Sequence, residues 1–205
     1  MKIDHVIYGV RDLDAAGRWL KEDVGLDSAE GGHHPAFGTG NRIVPLGDDC
    51  YLELMAIVDR HTAEQNFLGR KLIEHMAEGE RFVGWVVATD DLDSVADRLG
   101  LLAVPGARVR TDGKEITWKV AGIEEAFARD LPFFISWDEP SQHPSRMKVQ
   151  HSIEPEGLAW IDLGTDEVVL KEWLGDITLP VRFGGERTGV DSLAIKTSAG
   201  DIVLS

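Results

Sequence analysis

The stretch from Gly31 to Asn41, Gly-Gly-His-His-Pro-Ala-Phe-Gly-Thr-Gly-Asn, gathers several side chains capable of chemistry into a short span of chain. An imidazole takes up or releases a proton near neutral pH, and a carboxamide offers a hydrogen-bond donor and an acceptor together. The interspersed glycines let the backbone come close to a small molecule. The segment is therefore expected to be a loop carrying His34 and Asn41 over the mouth of a pocket, with His33 beside them as a further substrate contact. The competing reading is a plain connector whose glycines serve turns alone. A phosphate-cradling loop is excluded, because the glycine spacing is wrong and no helix follows to offer its N-terminus. Cys50 is the only cysteine and lies beside a turn without a nucleophile motif, so a structural role is expected. An intramolecular disulfide and a cysteine-based zinc site are both excluded.

The elements that must position these groups come in repeats. Val6-Ile-Tyr-Gly-Val-Arg-Asp12-Leu-Asp and Trp85-Val-Val-Ala-Thr-Asp-Asp91-Leu-Asp each read as a β-rich run followed by a turn and an amphipathic helix. Leu92, Val95, Ala96 and Leu99 fall at i, i+3, i+4 and i+7, one helical face, and Leu13, Ala16 and Leu20 do much the same. Asp12 and Asp91 suit N-caps, while Gly25 and Gly100 sit where left-handed C-caps belong. After each helix come further strand-like runs, at 37–46 and 50–58 in the first module and at 108–111, 115–120 and 132–137 in the second. Asp112 and Gly113 read as a hairpin turn. A fainter third copy has a strand at 158–163, a cap at Asp166, a short helix ending at Gly175 and strands at 180–183, 190–197 and 201–204. Thr62-Ala-Glu-Gln65 matches a capping box and starts a helix whose buried face is Leu68, Leu72, Ile73 and Met76. The expected organisation is a first βαβββ module over 1–60, a connecting helix over 61–80 and a second module over 81–138. A linker over 139–155 then leads into a third, degenerate module over 156–205.

Composition bounds what such a protein does. The chain has 205 residues and a formal net charge of -15, from 21 Lys plus Arg against 36 Asp plus Glu. That surface repels phosphate backbones and anionic lipid, so neither nucleic acid nor membrane is an expected partner. No apolar run approaches the roughly 20 residues that span a bilayer. The lone cysteine and an N-terminus that enters a strand directly fit a reducing cytoplasm.

The order of motifs resembles the vicinal oxygen chelate superfamily, and most closely its glyoxalase-like branch. The resemblance is carried by Asp4-His-Val-Ile-Tyr8 with Asp12-Leu-Asp14, then Gly32-His-His-Pro35 with Gly38-Thr-Gly-Asn41. Pro45-Leu-Gly47, Tyr51-Leu-Glu-Leu54 and Pro132-Phe-Phe-Ile-Ser-Trp137 continue it. It implies an α+β fold of repeated βαβββ modules, two well matched and a third partial, whose curved mixed sheets enclose a pocket. It also implies a site on four strands, two per module, where a divalent metal takes two substrate oxygens and stabilises an oxyanion.

In that scheme His5 and Glu53 occupy the two positions of the first module and form the catalytic or metal-binding pair. The corresponding positions of the second module are Gly84 and a residue near Ile135 or Ser136, none of them a convincing ligand. Catalytic zinc usually has three protein ligands, so the expectation is a polar pair without a tightly bound metal. A divalent metal on His5 and Glu53, completed by His33, His34 or His143, is the alternative. Trp85 and Trp137 neighbour the vacant positions and are expected to wall the pocket. Three functions are open: a lyase, isomerase or dioxygenase-like enzyme acting on a small oxygenated metabolite, a metal-free binding or resistance protein that sequesters an apolar or aromatic compound, or a partner-binding scaffold whose third module caps a sheet edge. The expected partner is a small-molecule ligand, and a homo-oligomer is compatible with the sequence.

Overall fold

The computed structural model describes residues 1–109, 113 and 115–205. The first module is β1 (Lys2–Gly9), α1 (Leu13–Trp19), β2 (Ala29–His34), β3 (Thr39–Gly47) and β4 (Cys50–Ile57). The second is β5 (Arg81–Ala88), α4 (Leu92–Leu99), β6 (Ala103–Val109), β7 (Glu115–Ala121) and β8 (Phe133–Trp137), with α5 (Ile123–Arg129) inserted before its last strand. Between the modules lie α2 (Arg60–Glu64) and α3 (Phe67–His75). The turn expected at Asp112 and Gly113 falls, at Asp112, outside the described residues.

Both modules use one pairing scheme. The first strand pairs parallel with the fourth, β1 with β4 and β5 with β8, and the second, third and fourth form an antiparallel meander. The modules join where β1 runs antiparallel to β5, with Val6 opposite Trp85, giving the order β2-β3-β4-β1-β5-β8-β7-β6. This eight-stranded sheet curls until its terminal strands meet: the buried Arg108 on β6 donates from Nη1 to the Gly31 carbonyl on β2 at 2.6 Å. Side-chain alternation then gives the sheet two working faces. Val6, Trp85, Val87 and Phe134 point outward into a core with Leu20, Leu92 and Ala96. Ile7, Val86, Phe133 and Ile135 point inward, where Leu72 of α3 and Phe127 of α5 cover them.

The helices begin where their caps require. Asp12 Oδ1 accepts from the N–H groups of Asp14 and Ala15, and Asp91 Oδ1 accepts from Ser94 N. Gly100 closes α4 in the left-handed region at φ 67°, a conformation that favours glycine. The connecting helix expected from Thr62 is two helices instead. Asp59 caps the first, placing Thr62 inside it, and Asn66 caps the second by accepting from Gly69 N. Asn66 stands just ahead of the apolar face that begins at Leu68, at the point where the chain turns.

The C-terminal segment keeps the expected element string, β9 (Pro155–Leu163), α6 (Glu167–Leu174), β10 (Val181–Phe183), β11 (Val190–Thr197) and β12 (Ile202–Leu204). Its pairing order differs: β9 lies between a parallel β10 and an antiparallel β11 in a separate sheet, β10-β9-β11-β12. Ile161, Leu193, Ile195 and Leu204 of this sheet join the outer core that holds Trp85. The third segment therefore backs the curled sheet on the side away from its concave face. Among the described residues, no helix is long and apolar enough to cross a membrane.

Candidate functional site

A β-bulge in the first strand builds the site. Ile3 and Val6 both face the outer core, which strict alternation forbids for residues three apart, and the pairing with β5 slips between Ile3 and His5. The extra residue is Asp4. Its side chain bonds its own neighbour, with His5 Nδ1 2.6 Å from Asp4 Oδ1. Asp4 is completely buried, and its second oxygen accepts from Trp137 Nε1 at 2.9 Å and lies 3.0 Å from His143 Nε2. Three elements, the first strand, the eighth and the segment after it, thus converge on one carboxylate.

The chain of polar contacts continues into the cavity. His5 Nε2 lies 3.4 Å from Glu53 Oε2, and Glu53 Oε1 accepts from Asn41 Nδ2. Strand register explains the meeting. Glu53 stands opposite Ile7 on β4, so its side chain shares the inward face with His5 two residues away. Asn41 lies opposite Met55 on β3, two positions along β4 from Glu53. Tyr51 stacks on the His5 ring with centroids 4.4 Å apart, giving an imidazolium an aromatic face to rest on.

Burial disfavours a charged His5, but its bonds and attraction to Asp4 and Glu53 outweigh that and raise it from 6.5 to about 9. Burial likewise opposes ionisation of Asp4, yet His143 and His5 hold its carboxyl well below the usual range. Glu53 is also lowered, against burial, chiefly by His5. At neutral pH the arrangement is an imidazolium between two carboxylates. A group raised on folding stabilises fully below its unfolded value and ceases to do so as pH climbs through its folded one. Stability should therefore fall by on the order of 3 kcal/mol between pH 6.5 and 9. His34, His75 and His151 are lowered by burial and act in the opposite sense only below pH 6.5. Urea unfolding across that range reads the effect, and a flat profile would exclude the charged His5.

The cavity, of about 100 Å³, opens between the two modules. Ile7, Met55, Leu68, Val120, Phe127 and Phe133 make most of its wall apolar, and His5, His34, Asn41, Glu53, Tyr51 and Arg108 gather its polar groups. Of the residues singled out from sequence, His5, Glu53, His34, Asn41 and Trp137 line it. Two do not. Trp85 is 1% exposed and points into the outer core, because it alternates with the inward-facing Val86. His33 points outward from β2 while His34 points in, its Nδ1 3.0 Å from Thr39 Oγ1. The expected loop over the pocket is a hairpin, with Gly31 to His34 in β2 and Asn41 in β3. Asp4, Arg108 and Trp118 belong to the site or its support and were not singled out as such.

The residues present do not fit the metal of the family scheme. Both His5 nitrogens face carboxylate oxygens, and among the described residues no three His, Cys, Asp or Glu side chains gather as ligands. The vacancy at Gly84 is filled from elsewhere: a Cβ there would lie 3.3 Å from Phe127 Cζ and 3.8 Å from Ile7 Cδ1. Installing a ligand by Gly84→His should cost about 1–3 kcal/mol from overpacking, with no thermal shift in added zinc. The Gly84→His/Phe127→Ala double variant should recover part of that loss. A Gly84→His protein of parental stability that takes up zinc would contradict this account.

Two βαβββ modules side by side, cupping one cavity with a His–Glu pair on adjacent strands, define a protein of the vicinal oxygen chelate class. The glyoxalase-like domain family matches residues 3–177, and the chain belongs to that family. A hypothetical protein from Staphylococcus aureus is similar in structure at 18% identity and TM-score 0.65, over 98% of this chain and 84% of that one. Methylmalonyl-CoA epimerase from Mycobacterium tuberculosis aligns at 20% identity and TM-score 0.47, over 66% of this chain and 86% of its own. A Streptomyces coelicolor methylmalonyl-CoA epimerase in complex with 2-nitronate-propionyl-CoA aligns at 18% and 0.49, over 67% and 95%. No curated protein matches the chain.

Proposed function

We propose that the protein binds a small oxygenated metabolite in the cavity between its modules and moves a proton to or from it without a metal. The observation that carries this reading is the engagement of both His5 nitrogens by Asp4 and Glu53 at the cavity wall. That arrangement turns the family's ligand pair into a proton-handling pair. Glu53 is the group placed to take the proton, and His5 is a positioning residue whose charge keeps the carboxylate ionised. An apolar ligand body displaces water around Glu53, which favours its proton-bearing form and strengthens it as a base. Asn41 holds the other Glu53 oxygen and fixes the carboxylate plane, and the apolar wall excludes solvent.

The test uses 2-oxobutanoate and its amide, 2-oxobutanamide, whose hydrogens beside the carbonyl are acidic. The chelator-treated protein in deuterium oxide should speed incorporation of deuterium into at least one of them, followed by proton NMR. The largely apolar lining favours a second reading, a binding protein that sequesters its ligand unchanged. Saturable binding with no acceleration of exchange would select that reading, and activity lost on chelation and restored by a divalent metal would defeat the metal-free scheme.

A further inference from the structure

The proton-handling pair leaves one feature of the cavity unexplained. Arg108 is 6% exposed, it lines the cavity, and among the described residues its buried Nη2 has no hydrogen-bond partner. Among the described residues its one bond is the Nη1 contact to the Gly31 carbonyl, a neutral acceptor. Among the described residues no carboxylate forms an ion pair with it. The nearby acids are committed: Asp4 to His5, His143 and Trp137, and Glu53 to His5 and Asn41. A guanidinium cannot escape this cost by losing its proton, and a buried charge without a counter-charge is strongly disfavoured. Nor is the cost needed to close the sheet, since a neutral donor would serve the Gly31 carbonyl.

A second unpartnered atom stands close by. Among the described residues no donor reaches the buried Asn41 Oδ1, and a Cβ built on Gly31 would lie 2.2 Å from that oxygen and 3.0 Å from Arg108 Nη1. Only glycine at position 31 lets the amide and the guanidinium share that space. The polar end of the cavity therefore presents a cationic donor and a neutral acceptor, and the apolar wall presents nothing for a second charge.

We propose that Arg108 is the anchor for a carboxylate, so that the ligand is a small monocarboxylate with an apolar body and a second oxygen function beside the acid group. The carboxylate supplies the counter-charge that Arg108 lacks, and a hydroxyl or hydrated carbonyl next to it can donate to Asn41 Oδ1. This assignment rests on the cavity being the ligand site, as proposed above.

The experiment compares 2-oxobutanoate with 2-oxobutanamide, which has nearly the same shape and no charge, by calorimetry on the parent protein and on Arg108→Gln. In the parent the acid should bind roughly ten- to a hundredfold more tightly, the worth of one charge-assisted bond. Arg108→Gln keeps a donor for the Gly31 carbonyl and should bind acid and amide about equally. Equal binding by the parent, or a preference for acid that survives in Arg108→Gln, overturns the anchor while leaving the pocket reading intact. If neither compound binds the parent, the anchor and the pocket reading both fall. Should Arg108→Gln not fold, the acid-to-amide ratio of the parent, and its decline with added chloride, decide the matter alone.

Discussion

Replacing Asp4 with alanine is expected to destabilise the protein by about 3–5 kcal/mol, as removing one partner of a buried charge pair does. Three groups depend on this carboxylate. The His5 imidazolium loses its 2.6 Å partner and keeps only the looser contact to Glu53 at 3.4 Å. The Trp137 indole N–H and His143 Nε2 both lose the oxygen they share. Each buried polar group left unpaired adds a desolvation cost of about 1–3 kcal/mol. The loss is bounded because His5 can shed its proton once Asp4 is gone and so avoid standing as a bare charge. His5 should accordingly titrate well below the parent value of about 9 in the variant, by NMR of its ring protons. Asp4→Asn, which keeps shape and one acceptor, should lose less. An alanine variant within about 1 kcal/mol of the parent in urea unfolding would mean that the carboxylate does not hold the site together.

Asp4 also shows where sequence reading stops. The two modules, their Asp-capped helices and the cavity-facing His5 and Glu53 were legible, because repeats, caps and strand alternation are written in residue type and spacing. The bulge was not. It is a slip of one residue between paired strands, and its effect, bringing Asp4 to the face of His5, appears only when β5 is laid beside β1. The same alternation, carried through from Gly84, would have turned Trp85 away from the pocket. Its neighbour Gly84 faces Phe127 across the inner side. The helix α5 carried a signal that went unread: Ile123, Ala126 and Phe127 lie at i, i+3 and i+4, with Glu124 and Glu125 in its first turn. Recognising it would have explained how a glycine could stand where the family scheme expects a ligand.

Arg108, and the bond of His143 to Asp4, escaped for a different reason. Each acts through a contact between distant parts of the chain, Arg108 with Gly31 across the closed ends of the sheet and His143 with Asp4 from the segment after the second module. That segment was read as a linker from its prolines and polar residues. It also folds back, with Pro144 lining the cavity and Arg146 paired to Asp49 at 2.8 Å. Composition describes how a segment connects its neighbours and is silent about what it covers. The swap in pairing order in the C-terminal sheet has the same origin, since that segment follows the βαβββ order of the first module and only long-range pairing separates them.

The Glu53→Gln substitution carries the largest effect expected on function. If Glu53 takes the proton, the variant should lose about 10²- to 10⁴-fold of the deuterium exchange seen with the parent, the usual contribution of a positioned base. The glutamine oxygen can still accept from Asn41 Nδ2, so the side chain keeps its place on the cavity wall. His5 keeps its shorter bond to Asp4 and a partner for its charge, so the fold should survive the change. Affinity for the 2-oxo acid should change little, because the carboxylate anchor assigned to Arg108 lies on a different strand. A drop in exchange at unchanged affinity separates loss of the base from loss of the pocket. The parent profile adds a further check: exchange should decline at low pH as Glu53 is protonated, with its midpoint displaced below the ordinary glutamate value because His5 holds the charged form. Exchange that persists within tenfold in Glu53→Gln would move the proton-accepting role to another group on the wall, with His34, lowered by burial and facing the same cavity, the next to substitute.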